Sequence, residues 1–421
     1  MFKMSYNKFK KGLFTGLLLG MIVVTQLTNA KPDNKFKIWT GSWATAVQLV
    51  EPRNMPPEQG LTNNTIRQIV RVSIGGDMIR LHFSNRFGKQ PLTMKSVVVA
   101  IAKEKSDVEV STQKMLKFNG EKKVTILPYD EIISDPLKFK LKCNSRVAIT
   151  ISFSETPNDV TGHPGSRTTS YLLMGEHPKS ANFSNAIPFE HWYVIKGIDV
   201  KTSCNNMGAI AILGNSIVDG RGSGTNKQNR WSDILSEKLL RNPETNTLGV
   251  LNLGIGGNCI IHGGLGPTAI ERFDHDILLQ SNVKWLIISE GINDIGGIYS
   301  AEYAPKMIQN LIAAYNEMID KAHAKGIKVY GATILPFAKS FYEKDFRLNV
   351  RDSVNQWIRN SGRFDAVIDF DKLMRNPENI QSLLPDLQSG DFLHPNEAGY
   401  KKMGEFIDSS LFGIRNCKKK K

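Results

Sequence analysis

Hydrophobic and polar positions follow two different periods along the chain. From about Phe36 to Val200 they mostly alternate. Val147, Ile149, Ile151 and Phe153 are separated by Ala148, Thr150 and Ser152, and Ile79, Leu81 and Phe83 by Arg80 and His82. Period 2 puts successive side chains on opposite faces of a strand, one face apolar. Turn signals punctuate these runs at Gly75-Gly76-Asp77, Asn119-Gly120 and Pro164-Gly165. Short alternating strands without a long helical period predict an antiparallel β-sandwich of roughly 165 residues. Ile38 to Trp43 reads as its first strand.

Beyond about Lys201 the pattern changes to short continuous apolar runs. These are Ala209 to Leu213, Val250 to Leu253, Trp285 to Ile288 and Ala366 to Ile368, with a less continuous run from Ile327 to Ile334. Strands covered on both faces read this way. Between them Ile308, Leu311, Ile312, Tyr315, Met318, Ile319 and Ala322 fall at helical spacing, and Gly326 ends the helix. Strand–helix alternation predicts an α/β fold, a three-layer doubly wound parallel sheet. The expected organisation is a leader over 1–30, a β-sandwich over 31–200, an α/β domain over 201–417 and a basic tail over 418–421.

In such sheets chemistry lies in the loops beyond the carboxyl ends of the strands. Those loops read Gly214-Asn215-Ser216-Ile217-Val218-Asp219-Gly220, Gly254-Ile255-Gly256-Gly257-Asn258 and Gly291-Ile292-Asn293-Asp294; Asp391-Phe392-Leu393-His394 follows near the C-terminus. Singly, each is an ordinary turn or cap. Together they supply what acyl transfer needs. Serine requires a base, and the base a third group to orient it. One turn can bring the Asp391 carboxylate to His394 Nδ1, leaving Nε2 for Ser216. An oxyanion requires donors, which the N–H groups of Ser216 and Gly257 and the Asn293 amide can provide.

These four blocks resemble those of the SGNH (GDSL) hydrolases. The resemblance implies Ser216 as nucleophile, Asp391 and His394 as its partners, and Ser216, Gly257 and Asn293 as the oxyanion hole, with no metal or organic cofactor. It extends to Arg230-Trp231, Arg272-Phe273-Asp274 and Gly390 to Tyr400, and in the front half to Gly75 to Asn85 and His163 to Arg167, as in secreted bacterial members. One position departs: the usual Gly-Asp-Ser reads Gly-Asn-Ser, with Asn215, which keeps the shape and one acceptor and loses the charge. The rival G-x-S-x-G elbow fails at Val218. His163 and Arg167 are left outside the catalytic set. Trp39, Trp43 and Trp192 read as core residues, with stacking on sugars as the functional alternative.

Charge alters this picture only at the ends. Of the net +14, four charges are Lys3, Lys8, Lys10 and Lys11, and four are Lys418 to Lys421. The first group precedes an apolar stretch from Gly12 to Val24, the pattern of a signal peptide cut after Ala30, and too short to span a bilayer. The expected location is secreted or periplasmic, with no stable membrane anchor after cleavage. No basic–aromatic patch supports nucleic-acid binding. Cys143, Cys204, Cys259 and Cys417 form no CxxC pair, and their pairing stays open. The expected function is a secreted serine esterase acting on an acylated small molecule or polysaccharide, removing acetyl groups from carbohydrate. The alternatives are a lipase, phospholipase or thioesterase, and a non-catalytic glycan-binding surface protein.

Overall fold

The computed structural model describes residues 38–202 and 207–413. The expected leader, Cys204, Cys417 and the lysine tail lie outside the described residues. Cys143 and Cys259 are free thiols, the first exposed and the second buried.

The front half is antiparallel β-structure built around one apolar core. Its larger sheet is centred on Arg146–Glu155, paired with Thr65–Arg71 on one side and Leu92–Ile101 on the other. Its smaller sheet places Ile195–Lys201 between Thr40–Ala44 and Gly76–Ser84. Ile149 and Ile151 from one sheet and Ile79, Leu81 and Phe83 from the other meet in that core, as the alternation requires.

The polar faces do not all meet water. Arg67, Thr150 and Ser152 are buried on the outer face of the larger sheet. There the Arg67 guanidinium donates to Thr150 Oγ1 and to the carbonyls of Ser106 and Ser180. Arg80 and His82, on the outer face of the smaller sheet, both reach Asp199 at 2.8 Å. Alternation reveals that a face is polar but not what covers it. Trp43 and Trp192 are buried and meet edge to face, 5.1 Å apart, so they are core residues, while Trp39 is partly exposed beneath Arg80.

The second half is a parallel five-stranded sheet. We label its strands β1 (Gly208–Gly214), β2 (Leu248–Gly254), β3 (Val283–Ser289), β4 (Lys328–Ala332) and β5 (Ala366–Ile368). Their spatial order is β2-β1-β3-β4-β5. β1 to β4 are buried nearly throughout, whereas Val367 in edge strand β5 is 37% exposed, so that short apolar run is covered less completely. The helices used below are α1 (Ser216–Asp219), α2 (Trp231–Leu240), α3 (Ala269–Phe273), α4 (Ile292–Gly296) and α5 (Ala304–Ala324). α5 contains the predicted helix, and Gly326 closes it at φ +70°.

Right-handed crossovers explain the layers. The chain steps from β1 to β2 in one direction and from β2 to β3 in the other, so α2 covers one face and α3 the opposite one. The reversal lies between β1 and β3, where open α/β sheets place their ligands. Gly214 pairs with both Gly254 and Ser289, so three strands end level and their loops emerge together.

The two halves meet closely and form one compact unit. Gly41 N donates to Ser281 O at 3.0 Å, and Val250 N to Ser73 Oγ at 3.0 Å. A Cβ on Gly249 would stand 2.0 Å from Gly41 O, so only glycine permits this approach. Among the described residues no helix is long and apolar enough to cross a membrane.

Candidate active site

Ser216 occupies the first position of α1, immediately after β1. Asn215 caps that helix, its Oδ1 accepting from Ile217 N at 3.0 Å. The N–H of Ser216, at the helix start, has no intrahelical acceptor. From the far end of the chain, the segment around His394 folds over this loop. Asp391 Oδ1 accepts from the N–H groups of Leu393 and His394 at 3.0 and 2.9 Å, a tight turn completed by Phe392 at φ +54°. That turn brings Asp391 Oδ2 to 2.6 Å from His394 Nδ1. His394 Nε2 stands 2.9 Å from Ser216 Oγ. A carboxylate can only accept, so Nδ1 carries the proton and Nε2 receives the serine hydroxyl.

Gly257 and Asn293 line the same cavity as Ser216 and His394. Gly257 adopts φ +73°, which strains any other residue, and Leu265 would crowd a Cβ there at 3.2 Å. Asn293 is the second residue of α4, four positions past the end of β3. Its Nδ2 donates to Asn258 O at 2.7 Å, and its Oδ1 accepts from Tyr342 OH at 2.9 Å. The second Nδ2 proton remains for a ligand. Asp294 fastens the neighbouring loop by accepting from Ile260 and Ile261 N–H at 2.8 and 3.0 Å. Beneath them the buried Arg272 guanidinium bonds Leu253 O, Gly214 O and Asn258 Oδ1, tying the ends of β1 and β2 to the glycine loop.

Asn215 also bonds the buried Glu290. Its Nδ2 donates to Glu290 Oε2 at 2.9 Å, and Gly291 N donates to the same oxygen. Burial, reinforced by Asp294, pushes the Glu290 carboxyl up to about 8, so it is neutral at pH 7. Glu290 has a sequence signature of a kind: a charged residue directly after the apolar run of β3.

Two residues left outside the catalytic set stand in this cavity. His163 Nε2 is 2.9 Å from Asp219 Oδ1, and the Arg167 guanidinium is 3.3 Å from Asp219 Oδ2. Asp219, at the end of α1, is fully buried, so the loop from the β-sandwich plugs into the serine loop. Gly165 makes this possible, since a Cβ there would lie 2.0 Å from the Asp219 carboxylate. The sandwich also contributes Gln48, Glu51, Arg53 and Asn54 to the cavity wall. Tyr342 had no motif to mark it.

Burial lowers the affinity of His394 for a proton, and the Arg221 and Arg167 charges lower it further, against the pull of Asp391. Burial alone would push the Asp391 carboxyl up, but its bonds from His394 and the turn hold it at about 2. The imidazole is thus neutral and the carboxylate charged at neutral pH, as a general base and its orienting group require. The expected pH profile of kcat/KM for p-nitrophenyl acetate rises on a limb centred below 6.5, the ordinary histidine value, and is flat by neutrality. A limb centred above 6.5 contradicts this. Among the described residues no group of three or more His, Cys, Asp or Glu side chains is placed to hold a metal ion. Burial and the nearby Asp294 and Glu290 push the Cys259 thiol up, keeping it protonated.

Comparison with known proteins finds a similarity over the segment that carries this site. Residues 212–402 match the GDSL-like Lipase/Acylhydrolase family. No curated protein matches the chain. Similar solved structures include a GDSL-like lipase from Bacteroides thetaiotaomicron, 22% identical over 48% of this chain and 87% of that one, with a TM-score of 0.35. Another is the acetylxylan esterase Axe2 from Geobacillus stearothermophilus, 19% identical over 47% of this chain and 91% of that one, with a TM-score of 0.36. A G-D-S-L family lipolytic protein from Veillonella parvula is 19% identical over 47% and 94%, with a TM-score of 0.33. The matched segment runs from β1 to just past His394, and over it the chain is similar to the GDSL-like acylhydrolases.

Proposed function

We propose that the enzyme removes short acyl groups, acetyl above all, from a polar carbohydrate-like alcohol, through an acyl-enzyme on Ser216. His394 takes the Ser216 proton as Oγ attacks the ester carbon, and Asp391 steadies the imidazolium that forms. The N–H groups of Ser216 and Gly257 and the free Asn293 amide proton receive the oxyanion. His394 then gives its proton to the departing alcohol. Water, deprotonated by the same imidazole, releases the acid and restores the serine.

The observation that carries the substrate class is the cavity over Ser216. It measures about 460 Å³, and its outer wall is polar, formed by Gln48, Glu51, Arg53, Asn54, Arg167 and His191 of the β-sandwich. Such a wall suits hydroxyl groups better than a lipid tail. The basic and then apolar first thirty residues support action outside the cytoplasm, where polymeric carbohydrate is met.

A second reading, a longer acyl chain, has its own observation. A mostly apolar cavity of about 560 Å³ adjoins the first and shares Gly257, Asn293 and Tyr342 with it. Hydrolysis of p-nitrophenyl esters from acetate to decanoate separates the two. The deacetylase reading expects kcat/KM to fall steeply beyond propionate and acetate to be released from acetylated polysaccharide. A rise towards octanoate assigns the apolar cavity to the acyl chain and overturns it.

A further inference from the structure

Two guanidinium groups in the catalytic cavity carry hydrogen-bonding capacity that the residues around them leave unfilled. We propose that Arg167 and Arg221 form a subsite for an anionic group on the alcohol part of the substrate, so that the natural ester is borne by an acidic sugar. The inference rests on the carbohydrate reading above and deepens it.

Placement comes first. The departing alcohol leaves beside His394, because that imidazole protonates it. Arg167 and Arg221 line the cavity that holds Ser216 and His394, and neither lines the adjoining apolar one. They therefore face the alcohol part of the ester.

Spare bonding capacity comes second. A guanidinium offers five N–H donors in a rigid fork. Among the described residues the Arg221 guanidinium has no hydrogen bond, ion pair or ring contact. That of Arg167 makes one contact, to Asp219 at 3.3 Å, and its buried Nε has no partner. The carboxylates nearby are already engaged. Asp219 is held by His163 at 2.9 Å. Glu51 accepts from Gln48 at 2.7 Å and Asn54 at 2.9 Å, and Glu190 from Thr225 at 3.2 Å. The unmet groups in the cavity are donors with positive charge.

Backbone geometry comes third. Arg167 sits at φ +50°, a left-handed conformation unfavourable for a long side chain. It is held there from several directions: Arg230 donates to Ser166 O, and Asn226 N to Arg167 O. Strain held in place by its surroundings is a feature of ligand sites. Two cations beside the general base also hold its proton affinity down, and a bound anion relieves that.

The test compares acetate release from three methyl glucosides, each acetylated on a ring hydroxyl and differing at C6. One carries a carboxylate, one the neutral carboxamide and one a phosphate. For the intact protein at low salt, kcat/KM for the carboxylate should exceed that for the carboxamide by about tenfold or more, as charge-assisted bidentate pairing allows. Half-molar sodium chloride should shrink the ratio. Arg221→Gln should bring it within about threefold of unity, and Arg167→Gln should do the same. The ratio is the useful quantity, since a change that a substitution makes to His394 in the free enzyme acts equally on both substrates. Arg221 is exposed, so its variant keeps the test valid if Arg167→Gln disturbs the Asp219 loop. A preference for the phosphate that the same variants abolish supports the anion subsite and makes a phosphorylated sugar its source. Equal rates on all three substrates, or a preference that survives both substitutions, overturn the proposal. p-Nitrophenyl acetate keeps the two readings apart: its hydrolysis without any charge preference sinks only the subsite, whereas no hydrolysis of it sinks the esterase mechanism as well.

Discussion

Replacing Ser216 with alanine is expected to lower kcat for p-nitrophenyl acetate by at least about 10⁴-fold while leaving the fold intact. The substitution removes only the oxygen that stands 2.9 Å from His394 Nε2. The side chain is small and buried at the helix start, and Asn215 continues to cap α1 through Ile217 N, so thermal stability should hardly change. His394→Ala should fall about as far, because a nucleophile without its base and a base without its nucleophile are equally idle. The double variant should then be no worse than either single one, since groups acting as a unit are not additive. Single-turnover kinetics with circular dichroism on all three proteins checks this. A Ser216→Ala enzyme retaining more than about 1% of kcat would show that the acyl group is carried elsewhere. Additive losses in the double variant would show that the serine and histidine act independently.

Much of the α/β half was legible in the sequence because parallel strands are covered on both faces and read as continuous apolar runs. Wherever such a run stops, the next few residues form the loop at its carboxyl end, and three of those loops meet the Asp391–His394 segment here. The β-sandwich was legible as strands but not as part of the cavity. Period 2 marks Arg80 and His82 as facing outward, yet both are mostly covered, meeting Asp199 and, through Arg80, Ser281 of the second half. Pairings such as His163 with Asp219 join residues far apart in sequence, through a contact that only the packed interface creates. The same holds for Tyr342, an aromatic residue in an ordinary loop whose hydroxyl reaches Asn293. Asn215 is the instructive intermediate case. It was visible as a departure, but its partner, the buried carboxyl of Glu290, was disclosed by neither the spacing nor the composition.

Asn293 is where positioning and catalysis are most readily separated. Asn258 O can only accept, so the amide nitrogen must face it, and the amide oxygen must therefore be the atom that meets Tyr342 OH. This fixes the remaining N–H without reference to any substrate. Removing it by Asn293→Ala should lower kcat by about 10² to 10³, the usual effect of losing one oxyanion donor, with KM little changed. Asn293→Asp should be at least as damaging, because a carboxylate would oppose both the oxyanion and Asn258 O. Tyr342→Phe leaves the donor in place and releases only its anchor, so kcat should fall by about tenfold, again without a matching rise in KM. The two effects should not add, since the tyrosine acts through the amide: in the Asn293→Ala background, Tyr342→Phe should cost almost nothing. A purely structural Asn293 would show the opposite pattern, a lower melting temperature with kcat within about threefold of the parent, and that result would take the amide out of the oxyanion hole.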